Sequence, residues 1–213
     1  MRVGVSPVPI PGTDARTHLA YELQVTEVAG LRDITLERLE ILDGRNGASL
    51  LTYDMGDLDG RTMRPGAERD VRYGRFVRRG EAVVVHVWMT MSPGQVPPPS
   101  LRHRLTFSVA STTQPVAELL SNVRTRTPVS LGPPLRGGLW LAHNGPGAHQ
   151  AAHWGSVLVD SGRTTIPQRY AIDFIGLGTA GKAVRGSVAG SSNADWVGFG
   201  ADVLAVVGDG SSP

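Results

Sequence analysis

Hydrophobic positions recur with a period of two along the first half of the chain, the spacing of a strand with one face buried. Between His18 and Val28, Leu19, Tyr21, Leu23 and Val25 alternate with Ala20, Glu22, Gln24 and Thr26. Ile34 and Leu36 open a second strand, and Leu39 and Ile41 continue it out of phase, the slip that a β-bulge produces. Asp43-Gly44 and Asn46-Gly47 then supply turn residues. The clearest strand runs from Glu81 to Met91, with Val83, Val85, Val87, Met89 and Met91 on one face and Val84, His86 and Trp88 on the other. Leu101, His103, Leu105, Phe107 and Val109 alternate again, and Val129 with Leu131 suggests one further strand. Val116 to Val123 fits a short helix. Short strands separated by turns predict an antiparallel sandwich. Its expected core is Leu19, Tyr21, Leu23, Val83, Val85, Val87, Leu105 and Phe107.

Proline and glycine interrupt the pattern at Leu131-Gly132-Pro133-Pro134, and the following stretch, 137–155, is rich in Gly, Ala and His. Ser156 to Val159 and Thr164 to Phe174 read as two arms of a hairpin about Asp160-Ser161-Gly162. Asp202 to Val207 reads as a last strand, apolar on both faces, of the kind found in the middle of a sheet. The chain thus divides into a tail (1–16), a sandwich (17–127), a linker (128–136) and a second β-rich region (137–213), an all-β fold.

Composition narrows the function classes. The 213 residues are 40% hydrophobic, enough to bury a core. A net charge of +2, with Arg75, Arg78 and Arg79 among scattered short clusters, gives no basic stripe for nucleic acid. The absence of cysteine excludes disulfides and thiolate metal sites. No run of about 18 apolar residues offers a membrane span. Met1 to Pro11 lacks the continuous apolar stretch of a signal peptide, and localisation stays open.

Two segments invite chemistry. Gly176-Leu177-Gly178-Thr179-Ala180-Gly181-Lys182 matches G-x-G-x-x-G and nearly matches a phosphate-binding P-loop. Both need a helix directly afterwards, because its free N–H groups hold the phosphate. Gly186 and Gly190 fall where that helix would run, and Ala183 replaces the hydroxyl that would hold magnesium. A flexible glycine loop accounts better for the motif. In the second segment, Gln168 to Phe174, an extended chain puts Arg169, Ala171 and Asp173 on one face, with Asp173 either solvated or a metal ligand. His18, His86 and His103 lie in sandwich strands and read as structural.

The second segment resembles the metal-binding opening of lysostaphin-type zinc metallopeptidases, in which an aspartate follows a ligand histidine. Gly200, Val203, Ala205 and Val206, ending near Gly210, resemble a later glycine-led strand of that family. Thr17 to Thr26 and Leu101 to Phe107 are similar to an Ig-like domain that precedes the catalytic domain in one subgroup. The resemblance implies an Ig-like β-sandwich followed by the beginning of a β-rich peptidase domain. It also implies zinc as cofactor, held by His, Asp and a second His around a water, and peptide cross-links of peptidoglycan as substrate. Arg169 stands where the first histidine is usual, and a guanidinium cannot ligate zinc. The implied ligands are therefore Asp173 and His153, with Arg169 contacting substrate or steadying Asp173. For His153 a loop role stays equally open, and His143 and His149 read as loop histidines. The downstream H-x-H segment does not occur here, which implies a truncated, inactive chain that self-associates through its last strand. The other reading is a non-catalytic sandwich module that binds a wall polymer or a partner protein.

Overall fold

The computed structural model describes residues 1–26, 32–67, 73–109, 112–126, 129, 131–145, 153–160, 163–189 and 191–207. Among these residues fourteen strands and one α-helix follow in order: β1 Arg2–Val3, β2 Ile10–Pro11, β3 Thr17–Thr26, β4 Ile34–Asp43, β5 Ser49–Tyr53, α1 Met55–Arg61, β6 Thr62–Met63, β7 Phe76–Val77, β8 Ala82–Met91, β9 Ser100–Val109, β10 Thr112–Asn122, β11 Leu139–Asn144, β12 Leu158–Asp160, β13 Arg163–Thr165 and β14 Asp173–Leu177, with a short 3-10 turn at Asn193–Asp195. The fold is all-β. One antiparallel sheet has the order β1-β3-β8-β6, with β2 on β3; a second has β10-β9-β4-β5, with β7 on β4.

The two sheets enclose one core, in which Leu19, Tyr21, Leu23, Val83, Val85 and Val87 meet Leu36, Leu39, Ile41, Leu101 and Leu105. All of these are at most 2% exposed, as expected from period-two spacing. Phe107 packs against this core while remaining partly exposed. The phase slip in β4 is a bulge, where the register on β9 jumps between Leu36 and Arg38. His103 sits in the core as a satisfied polar pair: Tyr21 donates its hydroxyl to Nε2 at 2.8 Å, and Nδ1 lies 3.2 Å from the Leu119 carbonyl. Burial holds His103 down to a pKa of about 4 and pushes the Tyr21 hydroxyl well above its ordinary range. The buried Thr62 hydroxyl has no partner among the described residues.

Several expectations are corrected. Val116 to Val123 is not helical; it lies almost wholly in β10, where pairing with β9 overrides local propensity. The helix is instead α1, started by an Asp54–Asp57 capping box. Val129 and Leu131 form no strand and are exposed. The hairpin exists as β12 and β13, but its second arm ends at Thr165. Pro167 begins a turn there, closed by Arg169 N–H to Ile166 O and Ala171 N–H to Gln168 O, so Arg169 and Asp173 do not share a strand face. Asp202 to Val207 is not a strand: one bridge, Leu135 to Val203, and backbone hydrogen bonds from Leu204 N–H to Pro134 O and from Gly132 N–H to Val206 O hold it, and Val203 is 81% exposed. Val28, the Ser161-Gly162 tip and Gly208 to Pro213 lie outside the described residues.

The second region packs on the outer face of the first sheet. Trp154, Val157 and Ile166 bury themselves against Met63 and Val84, with Ala20 and Trp88 at the margin. Polar positions of β3 that pattern alone points at solvent are buried here. Arg169 forms a bidentate ion pair with Glu22, and Gln24 donates to the Thr164 carbonyl at 3.1 Å.

Candidate functional site

His153 and Asp173 are 20 residues apart in sequence and meet in space. Trp154 fixes the first of them. Its ring stacks edge-on against His86, centroid to centroid 4.9 Å, and Trp88, 5.7 Å, while its carbonyl lies 3.2 Å from His86 Nε2. That anchorage holds His153 in a tight turn at 3% exposure. Asp173 opens β14 opposite Asn144, the last residue of β11, and Asn144 donates its side-chain amide to Asp173 Oδ2 at 2.9 Å.

The imidazole is oriented from both sides. Nδ1 lies 2.8 Å from the Ala171 carbonyl, which only accepts, so Nδ1 carries a hydrogen. Nε2 faces Asp173 Oδ2 at 3.1 Å. With the proton on Nδ1, a neutral ring turns a lone pair on Nε2 toward a carboxylate oxygen. This contact is favourable only with a positive charge in it: a second ring proton, or a cation shared by the two atoms. Two ligands on one tetrahedral zinc stand about 3.4 Å apart, given metal–ligand bonds near 2.1 Å. The observed 3.1 Å is a hydrogen-bond length, and a small outward shift of the two atoms would bring them to the ligand spacing. Asp173 is held below the usual carboxylate range chiefly by the Asn144 hydrogen bond, with the charges of His153 and His143 adding to it.

His143 is corrected from a loop residue to a strand residue: it lies in β11, exposed and near enough to Asp173 to influence it. Its position next to Asn144, which pairs Asp173, is a register effect that no sequence spacing announces. His149 lies outside the described residues. Arg169 spends its terminal nitrogens on Glu22 rather than on Asp173. Among the described residues no three His, Cys, Asp or Glu side chains converge as a metal cluster. The donors on hand therefore amount to a half-site, His153 Nε2 and Asp173, with each atom oriented by a further hydrogen bond.

The glycine motif is built for packing. A Cβ on Gly176 would come within 2.8 Å of the Gly198 backbone, and one on Gly198 within 2.9 Å of the Trp140 ring. Gly178 N–H donates to Lys182 O and Gly181 N–H to Gly178 O, closing a turn with Gly181 at a φ of 69°. Two of the motif's N–H groups are thus used within the turn, Gly176 and Leu177 belong to β14, and no helix directly follows the motif among the described residues. No helix is long and apolar enough to cross a membrane among the described residues. No family model, curated protein or solved structure matches the chain.

Proposed function

We propose that the chain carries the His–Asp half of a zinc site and resembles the N-terminal portion of a lysostaphin-type peptidase, with an Ig-like sandwich ahead of the metal-binding segment. The observation that carries this reading is the pairing of a fixed tautomer with a spacing close to that of ligands. His153 gives its Nδ1 hydrogen to a backbone carbonyl, the usual arrangement behind a zinc-bound histidine, and leaves Nε2 beside Asp173 Oδ2 at 3.1 Å. Asn144 steadies the carboxylate, and the burial of Trp154 keeps the ring from turning away. Zinc bound there would polarise a peptide carbonyl and acidify water. Peptide cross-links of peptidoglycan are the substrate class the resemblance implies. With two donors, affinity is expected to be weak and sensitive to chelators.

Equilibrium dialysis of the full chain against zinc at neutral pH, read by elemental mass spectrometry, tests the proposal. About one zinc per chain is expected, falling away in both His153→Ala and Asp173→Ala. Uptake unchanged in both variants, or no uptake at millimolar zinc, overturns it. The second reading, a non-catalytic module for a wall polymer or partner protein, is favoured by the lack of a third metal donor among the described residues. Chains without stoichiometric zinc support that reading.

A further inference from the structure

A cavity of about 140 Å³ lies where the second region meets the outer face of the first sheet. Trp88, Trp154 and Tyr170 supply aromatic walls, Ala20 and Ile10 aliphatic ones, and His18 and Arg169 complete the lining. Three of its polar groups, the Trp88 indole, His18 and Arg169, are already engaged, and little polar surface faces the space. Trp88 donates its indole N–H to His18 Nδ1 at 3.1 Å, and His18 Nε2 therefore carries the hydrogen that it gives to Asp14 at 3.1 Å. Arg169 is committed to Glu22. A sugar or a peptide backbone entering this space would leave its own polar groups unpaired, a penalty that grows with each one.

What the cavity can reward is an uncharged apolar group. Its volume is close to the roughly 150 Å³ of a cavity known to take up benzene. The surroundings favour a flat ring over an aliphatic group. Trp88 stands edge-to-face to both Trp154 and His18, an arrangement that a further ring can extend. A guanidinium whose in-plane donors are taken still offers its flat face to an aromatic ring. Tyr170, 64% exposed, stands at the rim and can close over an occupant.

From these observations we infer that the junction pocket is a binding site for an uncharged aromatic ring, such as the side chain of a phenylalanine in a ligand. The inference is independent of metal at His153 and Asp173.

The test titrates the full chain, in the presence of EDTA, with N-acetylphenylalaninamide and follows the four tryptophan indole N–H signals by nuclear magnetic resonance. Saturable shifts are expected at Trp88 and Trp154 but not at Trp140 or Trp196, and N-acetylalaninamide should give none. Ala20→Phe, which places a ring in the cavity from the protein side, should abolish the response. Tyr170→Ala, at an exposed position, should weaken it several-fold with the fold intact. Equal shifts at all four tryptophans, no saturable shift, or an unchanged response in Tyr170→Ala overturns the inference. A stronger response to N-acetylglucosamine overturns it in favour of a sugar site. Running in EDTA separates the result from the fate of the zinc proposal.

Discussion

Lowering the pH from 7.5 to 4.5 protonates His103 in the unfolded chain well before it can be protonated in the sandwich. In the folded protein its pKa is about 4, against an ordinary value of 6.5, because burial disfavours the imidazolium by more than the hydrogen bond to the Leu119 carbonyl favours it. Above pH 6.5 the ring is neutral in both states, and its contribution to stability is fully present. As pH falls from 6.5 toward 4, only the unfolded state gains the proton, so stability drops by about 1.4 kcal/mol per pH unit. Over the whole window the loss is about 3 kcal/mol, and below about pH 4 it levels off. Urea unfolding, followed by far-UV circular dichroism at half-unit steps between pH 7.5 and 4.5, measures it. The reference is the double variant Tyr21→Phe/His103→Leu, which removes both members of the pair and leaves neither side chain unpaired. Asp14, Asp43, Asp173 and Asp195, all held below 3.8, lose their contributions at lower pH and are common to both proteins. The wild-type slope should exceed that of the double variant by about 1 kcal/mol per pH unit. Parallel slopes would refute the reasoning, since the histidine would then be titrating alike in both states.

Other expectations concern single positions. Arg169→Ala should cost about 3–5 kcal/mol in urea unfolding, because it leaves the Glu22 carboxylate buried and unpaired; a loss under 1 kcal/mol would show the pair to be solvated. Thr62→Val should raise stability by about 1 kcal/mol by removing a buried hydroxyl with no partner, and a fall would point to a hidden bond. Gly198→Ala should lower the melting temperature more than Gly132→Ala, since a methyl at 198 meets the Trp140 ring at 2.9 Å while one at 132 meets only an ordinary contact at 3.6 Å; comparable shifts would contradict the close-packing account. Purified peptidoglycan incubated with the chain and zinc should release no new amino termini, and release abolished by Asp173→Ala would disprove that.

Pattern predicts the sandwich well because its four ten-residue strands, β3, β4, β8 and β9, each turn alternate apolar side chains into the core. β3, β8 and the bulged β4 could be read residue by residue. The second region has no such alternation. Among its described residues, three of the four buried apolar side chains, Trp154, Val157 and Ile166 but not Val184, pack on the sandwich, so they show no period of their own. The turn after Pro167 breaks the extended segment on which the facing of Arg169 and Asp173 was argued. His153 and Asp173 could be paired only through a resemblance, and Asn144 was missed altogether. A cross-strand partner depends on register between β11 and β14, 29 residues apart, and no local signal carries it.

The covered face of β8 has a consequence for modularity. Val83, Val85 and Val87 serve the sandwich interior, while Val84 and His86, on the other side of the same strand, are covered by Met63 and the Arg61 carbonyl together with Trp154, Val157 and Ile166. A front half transplanted alone into another protein would carry a partly bare apolar strip along its central strand and, beside it on β3, an unneutralised Glu22. Such a piece could not be exchanged between architectures as a free-standing bead. Any gene rearrangement that moves this sandwich must bring along the turn from His153 to Ile166, or supply a lid of the same shape.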